Sequence, residues 1–152
     1  MAVKIVDKGF KNYKEAFIGL DAEKVVVGLF ASVGDQVLTK GIVNEFGTNR
    51  AGKNHNIVIP ERSFLRSTYN KNYKKVAGRF TKIAKSISNG DYQVKKKLKL
   101  IGLEQEAAVK KTIVEIKTPA NAESTIRKKK SSNPLIDTGE LRTKISSELR
   151  SK

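Results

Sequence analysis

Lys24-Val-Val-Val-Gly-Leu-Phe-Ala31 is the stretch from which the order of elements unfolds. It is an almost unbroken apolar run, rich in the branched side chains that suit a pleated surface, and it reads as a buried β-strand. Apolar character on both faces predicts a central strand covered from both sides. The segment before it, Lys8 to Leu20, spaces Phe10, Tyr13, Phe17 and Leu20 by three and four. That period predicts an amphipathic helix with its aromatic stripe on a core. After the strand, Ser32 to Asp35 supplies turn chemistry. Val37 to Phe46 then repeats the helical period, with Gly47 placed as a C-cap that takes positive φ at no steric cost.

Further along, Asn49 to Asn56 (NRAGKNHN) reads as an exposed loop, and Ile57-Val-Ile59 as a short strand stopped by Pro60. Ser63 to Ser88 carries Phe64, Leu65, Val76, Phe80, Ile83, Ala84 and Ile87, a mostly helical segment closed by Asn89-Gly90. Tyr92 to Lys117 is the longest helical candidate. At about 100° per residue, Val94, Leu98, Ile101, Ala108, Val109, Ile113 and Ile116 form one apolar arc. Leu100, Leu103, Ala107 and Val114 fall opposite. A helix apolar on two sides is buried on two sides. The second side meets either another subunit or the 63–88 helix and the sheet together. Pro119 breaks this helix, and residues 121–133 read as a loop or a marginal helix. Residues 134–139 form a turn in which Asp137 or Thr138 would N-cap a short helix through Leu141. Ile145 to Leu149 alternates weakly, as a terminal edge strand would.

The chain has 152 residues, enough for one compact domain over 1–152. It carries 31 Lys plus Arg against 15 Asp plus Glu, a net charge of +16, and hydrophobic residues are only 38%. So thin a core favours further burial against partners. Absence of cysteine excludes disulfides, Cys-ligated metal and thiol chemistry, and the lone His55 excludes paired-His metal sites. No apolar run approaches ~18–20 residues, and no apolar signal core is evident, so neither a membrane span nor a secretion signal is expected. Between Arg62 and Lys130 there are 19 basic and 5 acidic residues; the remaining 83 carry 12 and 10. Two runs stand out, Lys95-Lys96-Lys97 with Lys99, and Arg127-Lys128-Lys129-Lys130. Such patches suit nucleic acid, an acidic protein surface, or simply a solvated face. Lysine far outnumbers arginine, so nonspecific electrostatics is favoured over base readout.

Enzyme chemistry finds little support in these residues. The glycines are isolated and form no phosphate loop. Asp137-Thr138-Gly139 matches the aspartic-protease triplet, but the residues around it read as a turn into a helix. Glu45 and Glu61 are separated by a loop and show no evident metal or acid partner, and His55 reads as solvent-exposed. Neither an enzyme nor a cofactor is expected.

Three pieces in order carry a family resemblance: Gly41-Ile-Val-Asn-Glu-Phe-Gly-Thr48, Ile59-Pro-Glu-Arg-Ser-Phe-Leu-Arg66 and Pro134-Leu-Ile-Asp-Thr-Gly-Glu-Leu-Arg142. Together they resemble the neck and tail-completion (head–tail joining) proteins of long-tailed bacteriophages, over roughly residues 24–149. Ser63 departs from the pattern, where a second proline is frequent. The resemblance implies an α+β fold, a small mixed or antiparallel sheet flanked by helices including one long helix. It further implies a virion protein, assembled in the host cytoplasm, that forms a homo-oligomeric ring, a hexamer, at the neck or tail top. Its partners would be head-connector or portal-side proteins and tail-tube proteins, with passing contact to phage DNA and none to membrane. Segments 47–56 and 118–134 would be flexible and order on docking. On this reading Phe46 ends a helix against the core, and Arg62 and Arg66 are free to pair with acids. The candidate assembly contacts are Phe46, Arg62, Phe64, Arg66, Lys95, Lys96, Lys97, Arg127, Lys128, Lys129, Lys130, Asp137 and Leu141. The alternative from another class is a basic nucleic-acid-binding domain.

Overall fold

A computed structural model describes residues 7–129 and 131–152; the expectation placed on Lys130 lies outside them. The fold is α+β, with six helices and two antiparallel strand pairs among the described residues. In chain order these are α1 (Phe10–Ala22), β1 (Glu23–Gly28), α2 (Asp35–Phe46), β2 (Thr48–Ala51), β3 (Ile57–Ile59), α3 (Phe64–Ser88), α4 (Val94–Glu115), α5 (Glu123–Lys129), α6 (Glu140–Thr143) and β4 (Ser146–Ser151). The longest helix is α3, at 25 residues against 22 for α4, because Gln93 and Ile116 bound α4 more tightly than its apolar pattern does.

α3 and α4 form an antiparallel hairpin, and the β1–β4 ladder lies across α4. Gly102 lets helix and sheet approach: a Cβ there would meet the Ser147 Cβ and Oγ at 3.1 Å. Ala16, Ile83, Ile87, Val94, Leu98 and Ile101 pack as one core cluster with Phe17, Leu20 and Val25 against it. A second cluster joins Phe64, Val109, Ile113, Leu135, Leu141 and Ile145. The Thr68 and Thr112 hydroxyls, 2.7 Å apart, satisfy each other in the buried seam between α3 and α4.

Several expectations are corrected here. Among the described residues β1 has only β4 beside it, an edge position where a central strand was expected. Val25 and Val27 pack on the core, but Lys24 is exposed and Val26 half-buried. The polar stretch after Gly47 is not all loop: Thr48 pairs with Ile59 and Ala51 with Ile57, making an irregular hairpin. Only the lower half of the α1 stripe is covered, since Phe10 and Tyr13 remain exposed. α6 opens at Gly139 with no side-chain cap, the nearest contact being Glu140 N–H to the Thr138 hydroxyl at 3.4 Å.

Candidate assembly surfaces

The first two signature pieces meet at the entry to α3. α3 has no capping side chain of its own at Ser63. Instead the buried Glu45, in the last turn of α2, accepts the Leu65 N–H at 2.8 Å and the Arg66 N–H at 3.0 Å. A carboxylate at a helix N-terminus satisfies open N–H groups and complements the helix dipole. Arg66 closes the arrangement, donating from Nε to Glu45 Oε1 at 3.1 Å and from Nη2 to the Glu45 carbonyl at 2.7 Å and Glu61 at 2.8 Å. Its guanidinium also lies 4.9 Å from the Phe46 ring centroid. Gly47 turns the chain at φ 71°, and a Cβ there would meet Glu61 N at 2.9 Å and the Ile59 carbonyl at 3.0 Å. Glycine is therefore required on two counts.

Arg62 points the other way. Buried at 4% exposure, it donates to the Pro119 and Ala120 carbonyls at 2.7 and 3.0 Å and to the Asn121 amide oxygen at 3.3 Å. Burial pushes its guanidinium below the usual arginine range. The third signature docks nearby. Leu135 and Leu141 are core residues, and Asn133 donates to the Val114 carbonyl at 3.0 Å while accepting the Leu135 N–H at 3.0 Å. Lys40 pairs with Glu140 at 3.2 Å, tying α2 to α6.

The contacts expected from sequence divide accordingly. Phe64 and Leu141 are buried in the core and Arg62 is spent within the chain, so these three are structural in this fold. Arg66 pairs with acids of its own chain, Glu45 and Glu61, and its side chain remains about half exposed at 49%. Phe46 is not packed on the core: it is 61% exposed, with Arg66 against its ring. Asp137 is exposed. His55 is exposed too, its Nδ1 3.2 Å from the Arg50 carbonyl.

The two lysine-rich runs lie at opposite ends of the α3–α4 hairpin. Lys95, Lys96 and Lys97 begin α4, which spans about 33 Å at 1.5 Å per residue, while α5 sits near Arg62 and Lys40 at the far end. They do not form one patch. Lys97 is held by Asp91 at 2.6 Å and by Ser86, and Lys95 by Glu23 at 3.1 Å. Lys96 and Lys99 are exposed and make no ion pair among the described residues. In α5, Arg127, Lys128 and Lys129 occupy the last turn, where cations complement the helix dipole. Burial pushes Lys129 below its usual value, with the Asp137 charge acting against that shift. Its ammonium donates to the Pro134 carbonyl at 3.2 Å. The α5 run therefore has a local structural reason. The α4 run has the opposite sign to the one its helix end prefers.

What the sequence pattern did not locate is a groove. Between the open edge of β1 and helix α3 runs an apolar cleft of about 900 Å³, lined by Phe17, Leu20, Leu65, Tyr69, Phe80 and Val109 among others. The second arc of α4 is likewise uncovered, with Leu100 53% and Leu103 56% exposed, so it does not lie under α3 and the sheet. Among the described residues no three His, Asp or Glu side chains gather as metal ligands, and no helix is long and apolar enough to cross a membrane. Set against protein-family models, curated proteins and solved structures, the chain finds no match.

Proposed function

We propose that this chain is a virion structural protein that forms a ring at the head–tail junction of a long-tailed bacteriophage, completing the tail and joining it to the head connector. The observation that carries the assembly role is the apolar surface left open among the described residues. The groove beside β1 and the outer arc of α4 together exceed what scattered surface residues explain. Neighbouring subunits in a ring supply the missing cover. The neck assignment itself rests on the three signature pieces. It is supported by their interlocking, since Glu45 and Asn44 of the first hold Arg66 and Arg62 of the second. Lys96, in the first turn of α4 where cations are disfavoured, and Lys99 make no ion pair among the described residues and suit an anionic rim on a connector or tail-tube partner.

A second reading, nonspecific nucleic-acid binding, draws on Tyr69 and Tyr73, exposed on α3 among Lys71, Lys74 and Lys75. Aromatic faces set among cations are the stacking arrangement used on single strands. Light scattering and negative-stain microscopy of the purified chain discriminate. Closed rings, with head–tail joining lost on reversing Lys96 and Lys99 to Glu, support the neck role. A monomer that binds DNA with a steep salt dependence overturns it.

A further inference from the structure

We infer that the β2–β3 hairpin of one copy of this chain docks in the β1–α3 groove of the next, adding its strand to the open edge of β1. This rests on the ring reading and names the contact that would close it. Two unsatisfied features of the same chain match each other. The first is the groove: among the described residues β1 has hydrogen-bonded neighbours on one side only, and its other side faces an apolar trough floored by α3 and α4. Residues 23–27 line the trough consecutively, so the strand presents its backbone edge there as well as side chains. Such an edge is a template for another strand, about 4.8 Å away, and the trough beside it would bury that strand's inward face.

The second feature is the hairpin. Among the described residues no other element packs substantially on it, and each of its strands has a free edge. Ile57 and Val58 are 53% and 70% exposed, two adjacent β-branched side chains that the described residues leave largely uncovered. Isolated two-stranded hairpins are marginal in water, and so is an uncovered apolar edge. Docking one on the other answers both. The contact joins different surfaces on the two copies, so it is heterologous and propagates into a ring if the rotation closes.

Because the chain has no cysteine, disulfide trapping reads this contact cleanly. One protein carries Val58→Cys, a second Val26→Cys or Lys24→Cys, and a control Ser88→Cys at the far end of α3. The expected result is a covalent heterodimer on mixing the hairpin and β1 variants under mild oxidant, and none with the control. A Val26→Cys/Val58→Cys double variant gives a ladder of higher covalent oligomers. Val58→Asp abolishes oligomers while leaving the thermal midpoint unchanged. Oligomers that persist in Val58→Asp with no cross-link overturn the groove contact and leave the ring intact. A cross-link confined within single chains overturns the second copy as occupant. A chain that stays monomeric at every accessible concentration, with no cross-link, overturns both.

Discussion

Glu45 and Arg66 share three hydrogen bonds: Glu45 Oε1 accepts the Arg66 backbone N–H at 3.0 Å and the Arg66 Nε at 3.1 Å, and the Glu45 carbonyl accepts Arg66 Nη2 at 2.7 Å. The carboxylate thus caps α3 from another helix and fixes the side chain that follows the cap. Glu45→Ala removes the acceptor from two backbone donors and a guanidinium, and should cost about 2–3 kcal/mol. Glu45→Gln retains one acceptor oxygen and should cost about half as much. Urea unfolding followed by circular dichroism measures both, and equal losses would mean the charge carries the whole interaction and the neutral acceptor adds nothing.

Gly47 and Gly78 should respond to alanine with opposite signs. At Gly47 a Cβ meets backbone atoms at 2.9 and 3.0 Å on a positive φ, so Gly47→Ala should destabilise by about 1–3 kcal/mol. Gly78 lies mid-helix in α3 with nothing within 4 Å of its Cβ position. Gly78→Ala should stabilise by about 0.5–1 kcal/mol through helix propensity. Thermal midpoints of the two variants check the pair.

Acid should loosen two ends of the molecule. Asp21 is held below its ordinary 3.8 by the hydrogen bond from Lys152 and its charge. Asp91 is held below 3.8 by the hydrogen bond from Lys97, then by the Gln93 N–H. Both are more acidic folded than unfolded, so their stabilisation is present above 3.8 and is lost as pH falls through the lowered folded values. Asp91→Asn should flatten that part of the stability profile. Lys129 acts at the other extreme: its folded value lies below 10.5, so the unfolded chain binds more protons in that interval. Stability should rise with pH there, and Lys129→Met should remove the rise.

Leu100→Asp and Leu103→Asp probe the outer arc of α4. Both side chains are more than half exposed, so the stability of the single chain should change by no more than about 0.5 kcal/mol. Assembly should be lost, as sedimentation velocity would show. A loss of stability comparable with that of Glu45→Ala would mean the arc is covered within the chain.

The helices were legible because their apolar periods are long: Val94, Leu98, Ile101, Val109 and Ile113 are all buried as α4 spaces them. The polar clasp was not, since nothing periodic marks Glu45 as a cap for residues twenty positions on, or Arg62 as a donor to the Pro119 carbonyl. Only the order of the signature pieces hinted that they belong together. The Val-rich run was read as two-sided because its composition cannot distinguish a second layer of its own chain from an open trough. The β2–β3 hairpin escaped because Asn49 to Asn56 carries no alternation, and its pairing is irregular between Thr48 and Ala51. The outer arc of α4 was visible as a pattern, and among the described residues its leucines stay more than half exposed.

The pairing of β1 with β4 sets a schedule for synthesis. Gly28 finds its partner in Ser146, 118 residues later, and every rung between the two strands spans a comparable stretch of chain. While the intervening helices emerge from the ribosome, β1 lacks β4, its one neighbour among the described residues. Closing so long a loop is slow, and an unpaired valine-rich strand is a target for misassociation in the meantime. The nascent chain therefore depends on its helical hairpin to shelter β1 until β4 arrives, and truncations short of Ser146 should precipitate rather than fold.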